Sequence, residues 1–422
     1  MSSLHSGHFL WPALLTAALV SCGLTAQAQA EGFIDDASVN LNLRNYYINR
    51  NFTNPTYPQS KAEEWTQSFI LDARSGFTQG TVGFGIDVLG LMAYKLDSGG
   101  GTTGTQLLPQ TGTGSTAKRG APDNFGRLGV AAKARISNTE LKVGEWMVVL
   151  PILRSDDGRS LPQTFEGAQI TAKEIEGLTL YGGQMRGVSW RNSSDMEDMS
   201  FGGATSDRFN FAGGEYTFNE KRTMVGVWNA QLKDIYNQQY INLVHSQALG
   251  DWTFGANLGY FIGKEDGSQR AGKLDNKTAS GLFSARIGGN TFFLGLQQLT
   301  GETQWMRVGG TSGGTLANDM YNTSFDAVKE RSWQVRYDHN FVAQGIPGFT
   351  TSVRYTHGDN IHTATTDNGK EWSRDFELAY TFQEGTLKDL NLRWRNSTVH
   401  RDYSNNVFDE NRVIVSYPIN LL

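Results

Sequence analysis

After residue 30 the chain alternates apolar and polar positions with a period of two, in runs of strand length. In the last run Val413, Val415, Tyr417 and Ile419 share one face, and Arg412 and Ser416 share the other. The same split sets Leu392 and Trp394 against Arg393 and Arg395, and Trp333, Val335 and Tyr337 against Gln334, Arg336 and Asp338. Phe349, Val353 and Tyr355 oppose Ser352 and Arg354; Leu128, Val130, Ala134 and Ile136 oppose Arg127, Lys133 and Arg135; Leu41 and Leu43 oppose Asn42 and Arg44. Eight short turns, rich in Gly, Asn, Asp, Ser or Pro, separate pairs of these runs at 76–80, 137–139, 174–177, 219–222, 249–251, 288–290, 343–348 and 385–389. Nine longer polar connections alternate with them, near 51–62, 97–122, 151–168, 187–206, 230–238, 263–277, 301–330, 357–370 and 401–409. Together they join 18 strands, and one misplaced hairpin would make 16. Such a rhythm is that of an all-β, antiparallel up-and-down barrel crossing a bacterial outer membrane. An even strand number puts both termini on the short-turn, periplasmic side.

The first thirty residues read as a targeting segment. Phe9 to Val20 is an apolar core, and Ala28-Gln29-Ala30 is a small-x-small cleavage pattern, so residues 1–30 are expected to be a signal peptide and 31–422 the barrel. Leu19-Val20-Ser21-Cys22 offers a rival, lipoprotein-type processing site that would acylate Cys22. With cleavage after Ala30 the remaining chain has no cysteine, hence no disulfide and no thiolate metal site. The leader has no charged residue, so the net charge of −5 belongs to the rest of the chain and argues against nucleic acid. Mean hydropathy is −0.41, and no later stretch approaches the ~18 apolar residues of a membrane helix. A barrel reconciles the two, because each strand shows lipid only at every second residue.

An arginine on the lipid face near the bilayer midplane costs ~2–4 kcal/mol, so the arginine faces belong inside. The aromatics on the opposite faces, Trp333, Tyr337, Tyr355, Trp394 and Tyr417, suit interface girdles. A barrel of this strand number is too wide for its own side chains to fill, so a loop must narrow it. The connection Pro151 to Gly167 mixes apolar anchors with Arg154, Asp156, Asp157 and Arg159, and is expected to fold inward near 151–168. Asp156 and Asp157 are expected to face the lumen arginines across the pore. The Gly/Thr/Ser-rich stretch from Gly99 to Gly120 reads as an external loop without chemistry of its own.

The segments LNLRNYYINR, GTVGFGIDVLGL, DNFGRLGVAAKARIS, PILRSDDGRSLPQTFEG, ERSWQVRYDHNFV and LRWRNSTVHRDYSNNVFDENRVIVSYPINL resemble the OprD family of outer-membrane porins, the outer-membrane carboxylate channels, over the whole length after the leader. That resemblance implies an 18-stranded monomeric barrel passing small carboxylates along a basic ladder. Its members here would be Arg44, Arg50, Arg154, Arg336, Arg354, Arg393, Arg395 and Arg412, and the alternation adds Arg127. Asp156, Asp157 and Arg159 would form the constriction. The loop and strand motifs look closer to the family's amino-acid-preferring branch than to its aromatic-carboxylate branch; the terminal Leu422 departs from the Phe that ends many outer-membrane proteins. The implied surroundings are outer-membrane lipid and lipopolysaccharide, with the barrel-assembly machinery as partner and no cofactor or metal. A barrel-borne hydrolase and an adhesin are the competing readings. For the former, Gly310-Thr311-Ser312-Gly313-Gly314 fits G-x-S-x-G and the histidines beyond the leader are His245, His339, His357, His362 and His400, but the motif lacks a strand-to-helix elbow.

Overall fold

Backbone groups inside a bilayer have no water to bond, so a strand-built membrane protein must close its sheet. The computed structural model, which describes residues 32–114 and 118–422, shows that closure. The leader and Cys22 lie outside the described residues. Eighteen strands run in sequence order from Ser38–Phe52 to Phe408–Asn420, each antiparallel to its neighbours. The first strand pairs with the last from Asn40 opposite Asn420 to Phe52 opposite Phe408. The count is therefore 18, and 16 is excluded.

All eight short turns fall where their residue chemistry places them. Gly177, Gly250 and Gly288 sit in the left-handed region, where a side chain would be strained. One expected long connection is corrected: 230–238 is only the three-residue link 233–235 between Thr223–Leu232 and Tyr236–Leu249. Its tightness comes from Asp234, left-handed at φ 63°, whose N–H donates to Asp266 at 2.9 Å while Gln231 donates to the same carboxylate. A polar sequence was read as length, where it is a turn tied by a neighbouring loop.

Closure fixes which way every side chain points. Leu128, Val227, Ile241, Leu294, Val335, Val353 and Val413 are exposed on the outer wall, as a lipid-facing surface requires. Inside, the lumen has two unlike walls. Phe165, Trp228, Tyr236, Tyr240 and Phe261 make an apolar wall, and arginines and carboxylates of the later strands make a polar one. The 302–330 loop crosses between them: Trp305, Met306, Val308 and Leu316 are buried in the apolar cluster. Inward amides hold its backbone, with Gln238 donating to the Met306 carbonyl at 2.9 Å, Gln334 to Ala317 at 2.7 Å and Gln297 to Phe325 at 2.6 Å.

The assignment of faces is testable with two arginines. Val335→Arg, at mid-strand on the outer wall, is expected to lower barrel stability in vesicles by roughly 2–4 kcal/mol, read as a shifted urea midpoint. Ser352→Arg, which points into the lumen cavity, is expected to leave that midpoint close to the native value. Equal losses would mean that the two faces are wrongly distinguished.

Candidate pore site

Placing a guanidinium in a protein interior is costly unless a counter-charge sits beside it. Strand register supplies one for most of the polar wall. Arg354 stands opposite Asp375 on the next strand, Arg395 opposite Glu377, Arg401 opposite Glu371 and Arg50 opposite Glu410. The corresponding ion pairs measure 2.7, 2.6, 2.7 and 2.7 Å. Arg412 reaches Glu410, two residues along its own strand, at 2.6 Å, and Arg336 reaches Asp338 in the same way at 2.6 Å. Arg393 lies 3.7 Å from Glu377. Asp375, Glu371 and Glu410 do not themselves line the open space; they back the arginines from the wall side.

The 147–163 loop docks on this wall. Arg44 donates to both oxygens of Asp157, at 2.7 and 3.1 Å, and to the Arg159 carbonyl at 2.8 Å; Tyr46 donates to the Gly158 carbonyl at 3.1 Å. Asp156 accepts from the Gly158 N–H at 2.7 Å and pairs with Arg191 of the following loop at 2.7 Å. Asp156 and Asp157, expected to face arginines across an open pore, both line the cavity, but each is held in a direct ion pair, Asp157 with Arg44 of the wall and Asp156 with Arg191 of the next loop. The Gly99 to Gly120 stretch is corrected too. Its Thr103, Leu107 and Leu108 are buried, the Thr105 carbonyl accepts from Arg159 at 2.8 Å, and Thr105 bonds the buried Glu64. Small residues let that segment enter the lumen, where composition suggested a solvent loop.

The tip of the 302–330 loop docks on the same wall from the other side. The Tyr321 ring lies under the guanidinium groups of Arg395 at 4.1 Å and Arg354 at 4.6 Å, and its hydroxyl donates to Glu377 at 3.0 Å. Asn322 accepts from Arg412 at 2.7 Å and from Arg50 at 3.1 Å. Asp319 accepts from Ser324 at 2.7 Å, and burial pushes its carboxyl up to about 6 against the opposing influence of that bond, Arg307 and Arg354.

Between the loops lies a cavity of about 840 Å³. Of the nine arginines singled out in the sequence, Arg50, Arg154, Arg336, Arg354, Arg395 and Arg412 line it, joined by Asp156, Asp157 and Arg159. Arg44, Arg127 and Arg393 do not. Arg127 is a tether: it donates to the carbonyls of Ser193 at 2.8 Å and of Pro162, fixing two loops. Arg154 differs from the rest. Among the described residues no side chain or carbonyl bonds its guanidinium, and Asp319 is the carboxylate whose charge it feels most.

Sequence reasoning missed the lining residues Arg191, Arg307, Arg401, Asp319, Tyr321 and Asn322, and the backing acids. For the acids a signal was present: Glu371, Asp375 and Glu377 occupy alternate positions against Trp372, Phe376 and Leu378, so they share an inward face. The loop residues carried no such pattern. Ser312 of the G-x-S-x-G match accepts from the Gly314 N–H at 3.1 Å and, among the described residues, bonds no histidine.

Comparison with known proteins agrees with this architecture. The model of the family described as outer membrane porin, OprD family, matches residues 31–421. The porin-like protein GalP of Pseudomonas putida is 59% identical over 98% of this chain and 99% of its own. A BenF-like porin from Pseudomonas fluorescens Pf-5 superimposes with a TM-score of 0.90 at 69% identity, covering 92% of this chain and all of that one. OccK2 (OpdF) of Pseudomonas aeruginosa, crystallised with glucuronate, gives 0.85 at 60% identity, covering 93% of this chain and all of that one. With a closed 18-stranded barrel, an arginine-lined lumen and these matches along its length, the chain belongs to the OprD family of outer-membrane porins.

Proposed function

We propose that this porin passes small carboxylates whose remaining part is uncharged, such as sugar acids and aromatic acids, in preference to amino acids. One observation carries the reading: eleven arginines line the cavity against six carboxylates, and the two carboxylates of the 147–163 loop are already occupied by arginines. An amino acid's ammonium group needs a free anion to rest on; Asp157 is spent on Arg44 and Asp156 on Arg191. The glucuronate found with a 60% identical relative is a ligand of the favoured kind. The motifs point to the family's amino-acid branch; the pairing of Asp156 and Asp157 favours the other, and leaves Asp319 as the lining carboxylate outside an ion pair among the described residues.

The mechanism follows from arginine chemistry. A guanidinium is always charged and offers donors in a fixed fork, so a carboxylate can be held bidentately and passed from one to the next. The backing acids keep each arginine from binding the anion too firmly, and conduction needs exit as well as entry. Arg154, without a protein acceptor, is the group readiest to receive the anion. In this reading the short turns and both termini face the periplasm, with lipopolysaccharide around the outer rim.

Uptake by liposomes carrying the refolded protein should admit glucuronate and benzoate faster than arginine; fastest entry of arginine would contradict the reading. Arg154→Gln should raise the half-saturating carboxylate concentration by roughly ten- to a hundredfold, the loss of a hydrogen bond to a charged group, without moving the unfolding midpoint. Asp319 gives a pH signature. Its carboxyl, raised to about 6, is mostly neutral at pH 5 and ionised at pH 7.5, so the cavity is more positive at the lower pH. Half-saturation by an anion that stays ionised over this range should accordingly fall from pH 7.5 to pH 5, and Asp319→Asn should show the low-pH value throughout.

A further inference from the structure

Unlike Arg154, the wall arginines that would receive a substrate are not vacant. Residues 320–323 form a tight turn, closed by the Met320 N–H donating to the Thr323 carbonyl at 2.8 Å, and this turn, with Asp319 before it, presents oxygens to three of them. Arg354 donates to the Asp319 carbonyl at 2.8 Å and Arg412 to the Tyr321 carbonyl at 3.1 Å. The side-chain oxygen of Asn322 sits between Arg412, at 2.7 Å, and Arg50, at 3.1 Å. Its amide N–H groups donate to Glu410 at 3.0 Å and Ser397 at 3.2 Å. A carboxamide has the shape of a carboxylate without its charge, and here its oxygen lies where a carboxylate oxygen would bridge two guanidinium groups.

We propose that Asn322 is a specificity-determining residue that occupies a carboxylate subsite formed by Arg50 and Arg412, and that an incoming anion must displace its amide to pass. The inference rests on the carboxylate-channel reading and names the group that sets its threshold. The physical basis is competition. The amide's bonds are charge-assisted on the arginine side only, whereas a carboxylate brings a full negative charge as well and can engage both oxygens. It therefore replaces the amide, whereas a solute without a carboxylate, such as a neutral sugar or a chloride ion, offers no comparable exchange. Tyr321 need not leave when Asn322 does. Its ring and hydroxyl hold the loop to Arg395, Arg354 and Glu377 independently, so the displaced group is one side chain.

The test is single-channel recording in planar bilayers with native protein, Asn322→Ala and Asn322→Ser, each shown to be folded by its heat-modifiable gel mobility. Chloride current is recorded first, then glucuronate or benzoate is titrated. Removing the competitor should raise the chloride conductance and lower the half-saturating carboxylate concentration by roughly tenfold in the alanine variant. The serine variant, too short to reach both arginines, should lie between. Saturation by carboxylate in native protein with unchanged values in the folded alanine variant overturns this inference alone. Weaker carboxylate saturation in that variant also overturns it, by making Asn322 a group that positions the arginines. Absence of carboxylate saturation in the native protein overturns both this inference and the reading beneath it.

Discussion

The structure depends on pairing between inward-facing charges on neighbouring strands. Closing the sheet commits every second residue to the lumen, and on the late strands those residues are arginines that water alone does not solvate fully. They are tolerable because acids sit beside them: register sets Asp375 beside Arg354, Glu377 beside Arg395 and Glu410 beside Arg50, and Glu410 also meets Arg412 two residues along its own strand. A slip of one residue would turn the arginines to lipid and the valines inward, so the same pairing that charges the pore also fixes the fold.

A barrel this wide is filled by its loops, and the two lumen walls decide how. The 302–330 loop is amphipathic in space: its Trp305 and Met306 end belongs to the apolar wall, and its Tyr321 and Asn322 end belongs to the arginine wall. The 147–163 loop completes the enclosure through Asp157 on Arg44 and Arg159 on Thr105. The cavity is the gap these two loops leave. Its chemistry is a surplus of guanidinium groups whose backing acids lie mostly out of reach of solute.

Much of this was legible in the chain. Period-two alternation assigned the faces of Arg44, Arg127, Arg336, Arg354, Arg393, Arg395 and Arg412, and turn chemistry located all eight short connections, because both signals are local. What was not legible came from contacts distant in sequence. That Asp157 spends its charge on Arg44, 113 residues away, cannot be seen from either segment. Thr105 and Leu107 read as loop because small and polar residues carry no periodicity, yet they are buried by tertiary contact with Glu64 and Arg159. Asn322 gave no signal, since its role exists only where two strands and a loop meet. The backing acids are a different case: Glu371, Asp375 and Glu377 alternate as clearly as the arginines, and the same reasoning extends to them.

The central claim, that guanidinium groups in excess select carboxylates, is tested most directly by the zero-current potential of the channel in a planar bilayer under a gradient of sodium glucuronate. The account predicts a potential of the sign that marks the carboxylate as the more permeant ion. A potential near zero, or one marking sodium as the more permeant, would contradict it.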